Sequence, residues 1–294
     1  SAPFCSWKLC ILQGNRTKFD PSLSSSYDGP LFSILANFRE SHVLGYMGKD
    51  NLQLVDGPTA DNTYIMEADS INPDDSIPDP FYGVPFDGVL GLDHGRFSMF
   101  AHLIENGQIA EPLLGFYFCH PRGEALFGDA DDGRYTGSLS FTEVQGRNWQ
   151  FNLQGIRIGD TKRICSRGCP ARTAPADRFI GGPAREIERI NGILGAKKTA
   201  GGAHVVDCRI VRSLPNIAFT IAGKQFVLDP RDYVVEVKTS TGIQCHSGFD
   251  TAPRQLNVTW HLGHAFLRTV YTVLEAPPNL GAGLGRVGFA YSRC

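Results

Sequence analysis

The sequence predicts an all-β chain, and three observations carry that prediction. The 33 glycines and 18 prolines make up about 17% of the 294 residues, against an average near ~12%, which favours a turn-rich β protein over a helical bundle. Strand-like runs recur between turn signals along the whole length. Helical periodicity is convincing only in short pieces such as 97–106 and 183–194, with Pro183 well placed at a helix start. At ~100–200 residues per domain, a chain of this size forms two domains or one large β domain.

In order, the strand-like runs are Leu31–Asn37, Asn51–Val55, Leu113–Phe118, Ser138–Val144, Trp149–Ile158, Ile217–Ile221, Tyr233–Val237 and Thr269–Leu274. A glycine-bounded apolar triplet followed by a short helix occurs in Phe86-Asp87-Gly88-Val89-Leu90-Gly91-Leu92. It recurs in Trp260-His261-Leu262-Gly263-His264-Ala265-Phe266-Leu267, which reads as a degenerate internal duplication. With 28 basic against 30 acidic residues the net charge is −2. No like-charge run or basic-aromatic interleaving is present to neutralise a phosphate backbone, so nucleic acid is not an expected partner. No apolar stretch approaches the ~18 residues needed to span a bilayer, which points to a soluble protein.

Eight cysteines, an even count, include the close pairs Cys5/Cys10 and Cys165/Cys169 in Pro/Gly/Ser-rich loops. They favour disulfides and an oxidising compartment over zinc, whose loops use shorter C-x₂-C pairs in fours or beside histidines. Sequons at Asn15 and Asn257 agree with secretion. Ser1 is followed by no basic and apolar leader, so a signal peptide is expected to be absent or already removed. His261 and His264 could contribute to a metal site, but no third ligand accompanies them. Ordinary hydrogen-bonded histidines are the preferred reading, with no metal and no cofactor expected.

Several fragments gain meaning together. They are Cys5-x₄-Cys10, the stretch Phe19-Asp20-Pro21-Ser22-Leu23-Ser24-Ser25-Ser26-Tyr27, Gly45-Tyr46-Met47-Gly48-Lys49-Asp50, and the first apolar triplet. Phe127-Gly128-Asp129, Tyr135-Thr136-Gly137-Ser138-Leu139, Trp149-Gln150, Cys165-x₃-Cys169, Ser213-Leu214-Pro215-Asn216-Ile217 and Trp260-x-Leu262-Gly263 with Phe266-Leu267-Arg268 follow. In this order and spacing, over the length of the chain, they resemble the pepsin-like aspartic proteases. The resemblance implies an all-β, two-lobed pepsin-like acid protease fold with short helices, a peptide- or protein-binding cleft between the lobes and a hairpin flap. The lobes would be residues 1–139, with the flap, and 140–294. The chain enters the family pattern after its first Asp-Thr-Gly motif, so the first lobe is expected to be incomplete.

The family's chemistry uses two carboxylates that share one proton, each from an Asp-Thr/Ser-Gly turn. No such triplet occurs in the sequence. The family's spacing from Cys169 and back from Gly182-Pro183 gives one register, which places Ala174-Pro175-Ala176 at the second motif. Moving Asp177 into place would need a compensating insertion and deletion and would set Arg178-Phe179 where Thr-Gly belongs. Pro175 removes an N–H and fixes φ where the family has a hydroxyl, and Ala176 adds a Cβ where it has glycine. Arg178 adds a cation toward the cleft, either paired with Asp177 or solvated. The family's flap tyrosine aligns with Phe38, and Arg39-Glu40-Ser41 replace a glycine-rich tip. Phe38, Arg39, Glu40, Val89, Asp177 and Arg178 are therefore the expected cleft residues.

The resemblance also assigns disulfides Cys5–Cys10, Cys165–Cys169 and Cys208–Cys245. Cys119 and Cys294 are then left to pair, since the family brings their strands into one sheet. The sequence thus predicts a secreted or endolysosomal pepsin-family homologue without proteolytic activity, whose retained role is to bind peptides or proteins through the old cleft or to present a stable secreted scaffold. The alternative is an active aspartic endopeptidase whose sequence is truncated or mispredicted around Ala174.

Overall fold

A computed structural model describes residues 17, 19–38, 41–71, 87–95, 97–119, 122–146, 148–160, 162–240, 242–252, 259–277, 280 and 283–294. The chain divides into two compact units, Ser1–Glu111 and Pro112–Cys294.

In the first unit, Asp20 accepts a hydrogen bond from the Ser22 backbone and starts a 3-10 turn over Pro21–Leu23. Three antiparallel strands follow, β1 (Asp28–Phe38), β2 (Ser41–Gln53) and β3 (Thr59–Ile71), in the order β1-β2-β3. Along β2, buried Val43 and Met47 alternate with exposed Leu44 and Tyr46, the period of a half-buried strand. The Ser24 and Ser26 hydroxyls donate to Asp50 Oδ1 at 2.9 and 2.5 Å, and the Tyr27 hydroxyl donates to Glu67. The Tyr27 ring lies over Gly48, where an added Cβ would come within 2.5 Å of it. These contacts join the Phe19–Tyr27 and Gly45–Asp50 motifs. The unit ends in α1 (Met99–Glu105), capped by Ser98 and burying Met99, Phe100, Ala101 and Leu103.

The second unit begins with β4 (Leu113–Cys119), β5 (Arg122–Phe127), β6 (Tyr135–Glu143), β7 (Gln150–Leu153), β8 (Gly155–Ile158) and β9 (Lys162–Ile164). Then come β10 (Cys169–Thr173), β11 (Ile180–Gly182), α2 (Ala184–Ile193), β12 (Lys197–Lys198), β13 (His204–Val206), β14 (Ile217–Ile221) and β15 (Lys224–Leu228). The chain closes with α3 (Pro230–Tyr233), β16 (Val234–Thr239), β17 (Gly242–Ser247), β18 (Phe249–Thr251), β19 (Trp260–Leu262), α4 (His264–Leu267), β20 (Val270–Glu275) and β21 (Arg286–Ser292). Four sheets result, ordered β18-β11-β19-β10-β7, β12-β13-β17-β16, β15-β14-β8-β9 and β5-β4-β20-β21-β6. Phe151, Phe219, Phe226, Phe266 and Phe289 knit three of these sheets and α4 into one core, with ring centroids 5.1 to 6.4 Å apart. Such pairs contribute ~0.5–1.5 kcal/mol each beyond burial.

The fold is mostly β, as the sequence predicts, with local differences of clear origin. The 149–158 run is two strands, because Gln154 leaves the ladder and donates its N–H to Thr220 O at 2.9 Å. Tyr233 closes α3, which Pro230 and a capping box on Asp229 start, and the strand begins only at Val234. The 51–55 run is the tail of β2, and the chain turns after Gln53. The compact units part at Glu111, after which β4, β5 and β6 pair into one sheet with β20 and β21.

Disulfides join Cys119–Cys294, Cys165–Cys169 and Cys208–Cys245, with Cα separations of 5.5, 5.5 and 5.3 Å. For the first, Tyr117 donates its hydroxyl to Arg293 O at 2.7 Å and Arg293 donates its N–H to Arg134 O at 2.8 Å, which carries the C-terminus to Cys119. Cys5, Cys10, Asn15 and Asn257 lie outside the described residues. No helix among the described residues is long and apolar enough to cross a membrane.

Candidate functional site

Residues 174–179 owe their position to strand order. Strands β10 and β11 flank β19, running parallel and antiparallel to it, so the segment joining them must cross the end of β19. Ala174 donates its N–H to Leu262 O at 3.0 Å, and Asp177 donates to Ala174 O at 2.9 Å, closing a four-residue turn with Pro175 at its second position. Gly263 then passes so close that a Cβ there would lie 2.0 Å from Phe179 O and 2.6 Å from Asp177 O. The first N–H groups of α4 hold the turn: His264 donates to Asp177 O at 2.7 Å and Ala265 to Arg178 O at 3.1 Å.

The side chains on this turn supply one carboxylate. Ala174 presents a buried methyl, while Pro175, Ala176 and Arg178 are exposed. Asp177 Oδ2 stands 3.5 Å from Nδ1 of His261, whose side chain is 1% exposed and whose Nε2 has no hydrogen-bond partner. Arg172, the register neighbour of His261 across β10 and β19, has its Nε enclosed without a partner. Burial pulls its guanidinium below the usual range, and the negative charge of Asp177 opposes that pull. His264 is on the surface, yet the atoms packed around it, followed by Arg268 and Arg178, hold its imidazole below the usual range. Arg178 lies 5.5 Å from the Phe179 ring.

Asp177 faces a histidine rather than a second carboxylate, so the turn does not hold the pair of repelling carboxylates that shares one proton. The two histidines do not converge, since His261 is buried and His264 exposed. Among the described residues no three His, Cys, Asp or Glu side chains gather to hold a metal ion. The remaining expected cleft residues belong to the first unit. Phe38 ends β1 opposite Ser41, and Arg39 and Glu40 lie outside the described residues. Val89, 36% exposed, borders a cavity of about 220 Å³ lined also by Ile34, Met47, Tyr64, Leu90 and Phe97. Arg172 is absent from the sequence-derived candidates, and its signal is a lone cation inside a short apolar strand that leads into the turn.

Comparison with known proteins places this architecture. The eukaryotic aspartyl protease family pattern matches residues 6–290. Pepsin A of Rhinolophus ferrumequinum is 29% identical over 288 residues, covering 94% of this chain and 71% of that protein. Pepsin A of Bos taurus is 29% identical over 291 residues, covering 94% and 74%. Cathepsin D of Chionodraco hamatus is 28% identical over 295 residues, covering 94% and 70%. A match that runs almost end to end, on a mostly β chain with short helices, shows that this chain belongs to the eukaryotic aspartyl protease family.

Proposed function

We propose that this family member does not cleave peptides and instead binds peptide or protein segments in the cleft between the family's two lobes, with the lobe boundary near 139/140. The observation that carries the reading is Ala174-Pro175-Ala176 on the turn between β10 and β11. A methyl group replaces the carboxylate there, and the one acid on the turn, Asp177, faces His261. One acid-base group is usually worth ~10²–10⁴ in rate, and a single carboxylate cannot serve as both base and acid in one step. Pro175 further removes the hydroxyl and N–H that an Asp-Thr-Gly turn provides. Three disulfides favour an oxidising setting, and we place the protein in a secreted or endolysosomal compartment.

The test has two arms. Peptide-library cleavage between about pH 3 and 6, near carboxylate pKa values, is measured with and without an aspartic-protease transition-state inhibitor. Binding of the same peptides is followed by fluorescence anisotropy. The expected result is saturable binding without turnover. Inhibitor-sensitive turnover by the unmodified chain would establish the active endopeptidase instead, and absence of binding would remove the binding role.

A further inference from the structure

The outward face of the β9-β8-β14-β15 sheet carries a depression of about 190 Å³ that takes no part in the 174–179 turn. The sheet is buried at Ile156, Ile158, Ile164, Phe219 and Phe226, and Ile156 and Ile164 also border the depression. On the outward face, Arg157 of β8 and Arg163 of β9 stand directly opposite one another and both line the depression. Like charges placed directly opposite across an antiparallel pair are destabilising, and among the described lining residues no carboxylate offsets them.

The surroundings are donors. Ser166, Thr220, Gln154 and Gln225 complete the polar lining. Arg157 is fixed in place, donating from Nη1 to Gly159 O at 2.8 Å and from Nη2 to Gln225 Oε1 at 3.2 Å, which turns the Gln225 amide nitrogen into that residue's free function. Gln154 likewise spends its Oε1 on the Gly223 N–H at 2.6 Å. The floor is Gly155, paired with Thr220, where the missing side chain opens the hollow between the arginines and β14. A Cβ at Gly155 would meet nothing closer than 3.8 Å, so no packing demand in the fold requires glycine there.

We infer that this depression binds a phosphate or sulfate monoester of about monosaccharide size. The Arg163 guanidinium, the N–H groups Arg157 has left over, and hydroxyl and amide donors on several sides outnumber what a planar carboxylate with two oxygens can accept and match an anion with three terminal oxygens. The volume is below the ~300–1,000 Å³ of sites for drug-sized ligands, so it suits the anion and one attached ring.

The experiment titrates the 294-residue chain by calorimetry and by thermal unfolding with sodium phosphate, sulfate, acetate and chloride at matched ionic strength. Glucose 6-phosphate and glucose 6-sulfate are run beside glucose. Phosphate or sulfate, and the corresponding ester, should bind and raise the melting temperature, while acetate, chloride and glucose should not. A response to only one of the two ester series supports the site and identifies its anion. Arg163→Gln should weaken binding at least tenfold, and Gly155→Val should abolish it. Without anion, Arg163→Gln should melt above the parent, because the opposed charge is gone; a purely structural arginine would give the reverse. The inference is overturned if chloride matches phosphate and sulfate, or if Arg163→Gln binds like the parent. The Arg163→Gln result decides even where Gly155→Val does not fold.

Discussion

Replacing Gly263 by alanine should unseat the turn that carries Ala174. The new Cβ would lie 2.0 Å from Phe179 O, 2.6 Å from Asp177 O and 3.0 Å from Phe179 C, all backbone atoms that no rotamer change can move aside. Relief requires the turn to retreat by about 1.3 Å, the difference between that approach and an ordinary carbon-oxygen contact of ~3.3 Å. A retreat of that size breaks the hydrogen bonds His264 N–H to Asp177 O, now 2.7 Å, and Ala265 N–H to Arg178 O, now 3.1 Å. Overpacking costs ~1–3 kcal/mol and each lost bond ~0.5–1.5, for a total of roughly 2–6 kcal/mol. The melting temperature should fall by roughly 5–20 °C.

Gly192→Ala supplies the control. Gly192 sits inside α2 with nothing within 4 Å of the place a Cβ would take, so alanine should gain up to ~1 kcal/mol there. Urea unfolding followed by the fluorescence of buried Trp260 and its two fellow tryptophans reads both variants. A Gly263→Ala protein that unfolds with the parent would refute the crossing of the turn over β19.

Three further outcomes follow from the same geometry. Removing the Cys119–Cys294 bridge, which spans 175 residues, should cost up to ~5 kcal/mol and removing Cys165–Cys169, which spans four, ~2 kcal/mol, so denaturant midpoints of the two Cys-to-Ala pairs should differ in that order. Burial raises the Asp50 carboxyl, but hydrogen bonds from Ser26, Ser24 and the Asn51 N–H outweigh it and hold the group below the usual range. Its stabilisation is therefore complete above the ordinary carboxylate pKa and is lost as pH falls through the lowered one, and Ser26→Ala should move acid unfolding to higher pH; an unchanged acid midpoint would count against it. Ala174→Asp alone should remain without peptidase activity between about pH 3 and 6, since Pro175 and Ala176 still shape the turn, and measurable turnover would show that the carboxylate was the only missing part.

Strand periodicity reached the elements whose own sequence carries the pattern. Ile217–Ile221 is one such element, buried at four of its five positions and read at its observed bounds. The thirteen-residue β3 escaped because Asp61, Asn62, Glu67 and Asp69 interrupt it, polar residues that a strand with one face outward accommodates. Strands β11, β18 and β19 have three residues each and owe their state to partners far away in the chain, Ile180 pairing Phe249 and Gly181 pairing His261. No local pattern encodes such a ladder; it becomes favourable only when distant segments satisfy one another's N–H and C=O groups.

The flanks from which the sequence reading counts to Ala174 are fixed by packing. Cys169 opens β10 and is tied back to Cys165. Gly182 cannot carry a side chain because the Trp260 ring lies 2.8 Å from where its Cβ would be, and Pro183 stands at the start of α2. Between these anchors the chain crosses β19, and the turn opens at Ala174, whose N–H reaches Leu262 O and whose carbonyl accepts from Asp177. The charges gathered there have no such anchor. Arg172 and His261 become neighbours only through the parallel register of β10 and β19, and Asp177 meets His261 only because the turn folds back over that strand. The Arg157 and Arg163 pair has the same origin, an antiparallel register that sets two cations face to face. Residue identity shows which chemistry a segment can contribute, and strand register determines which contributions meet.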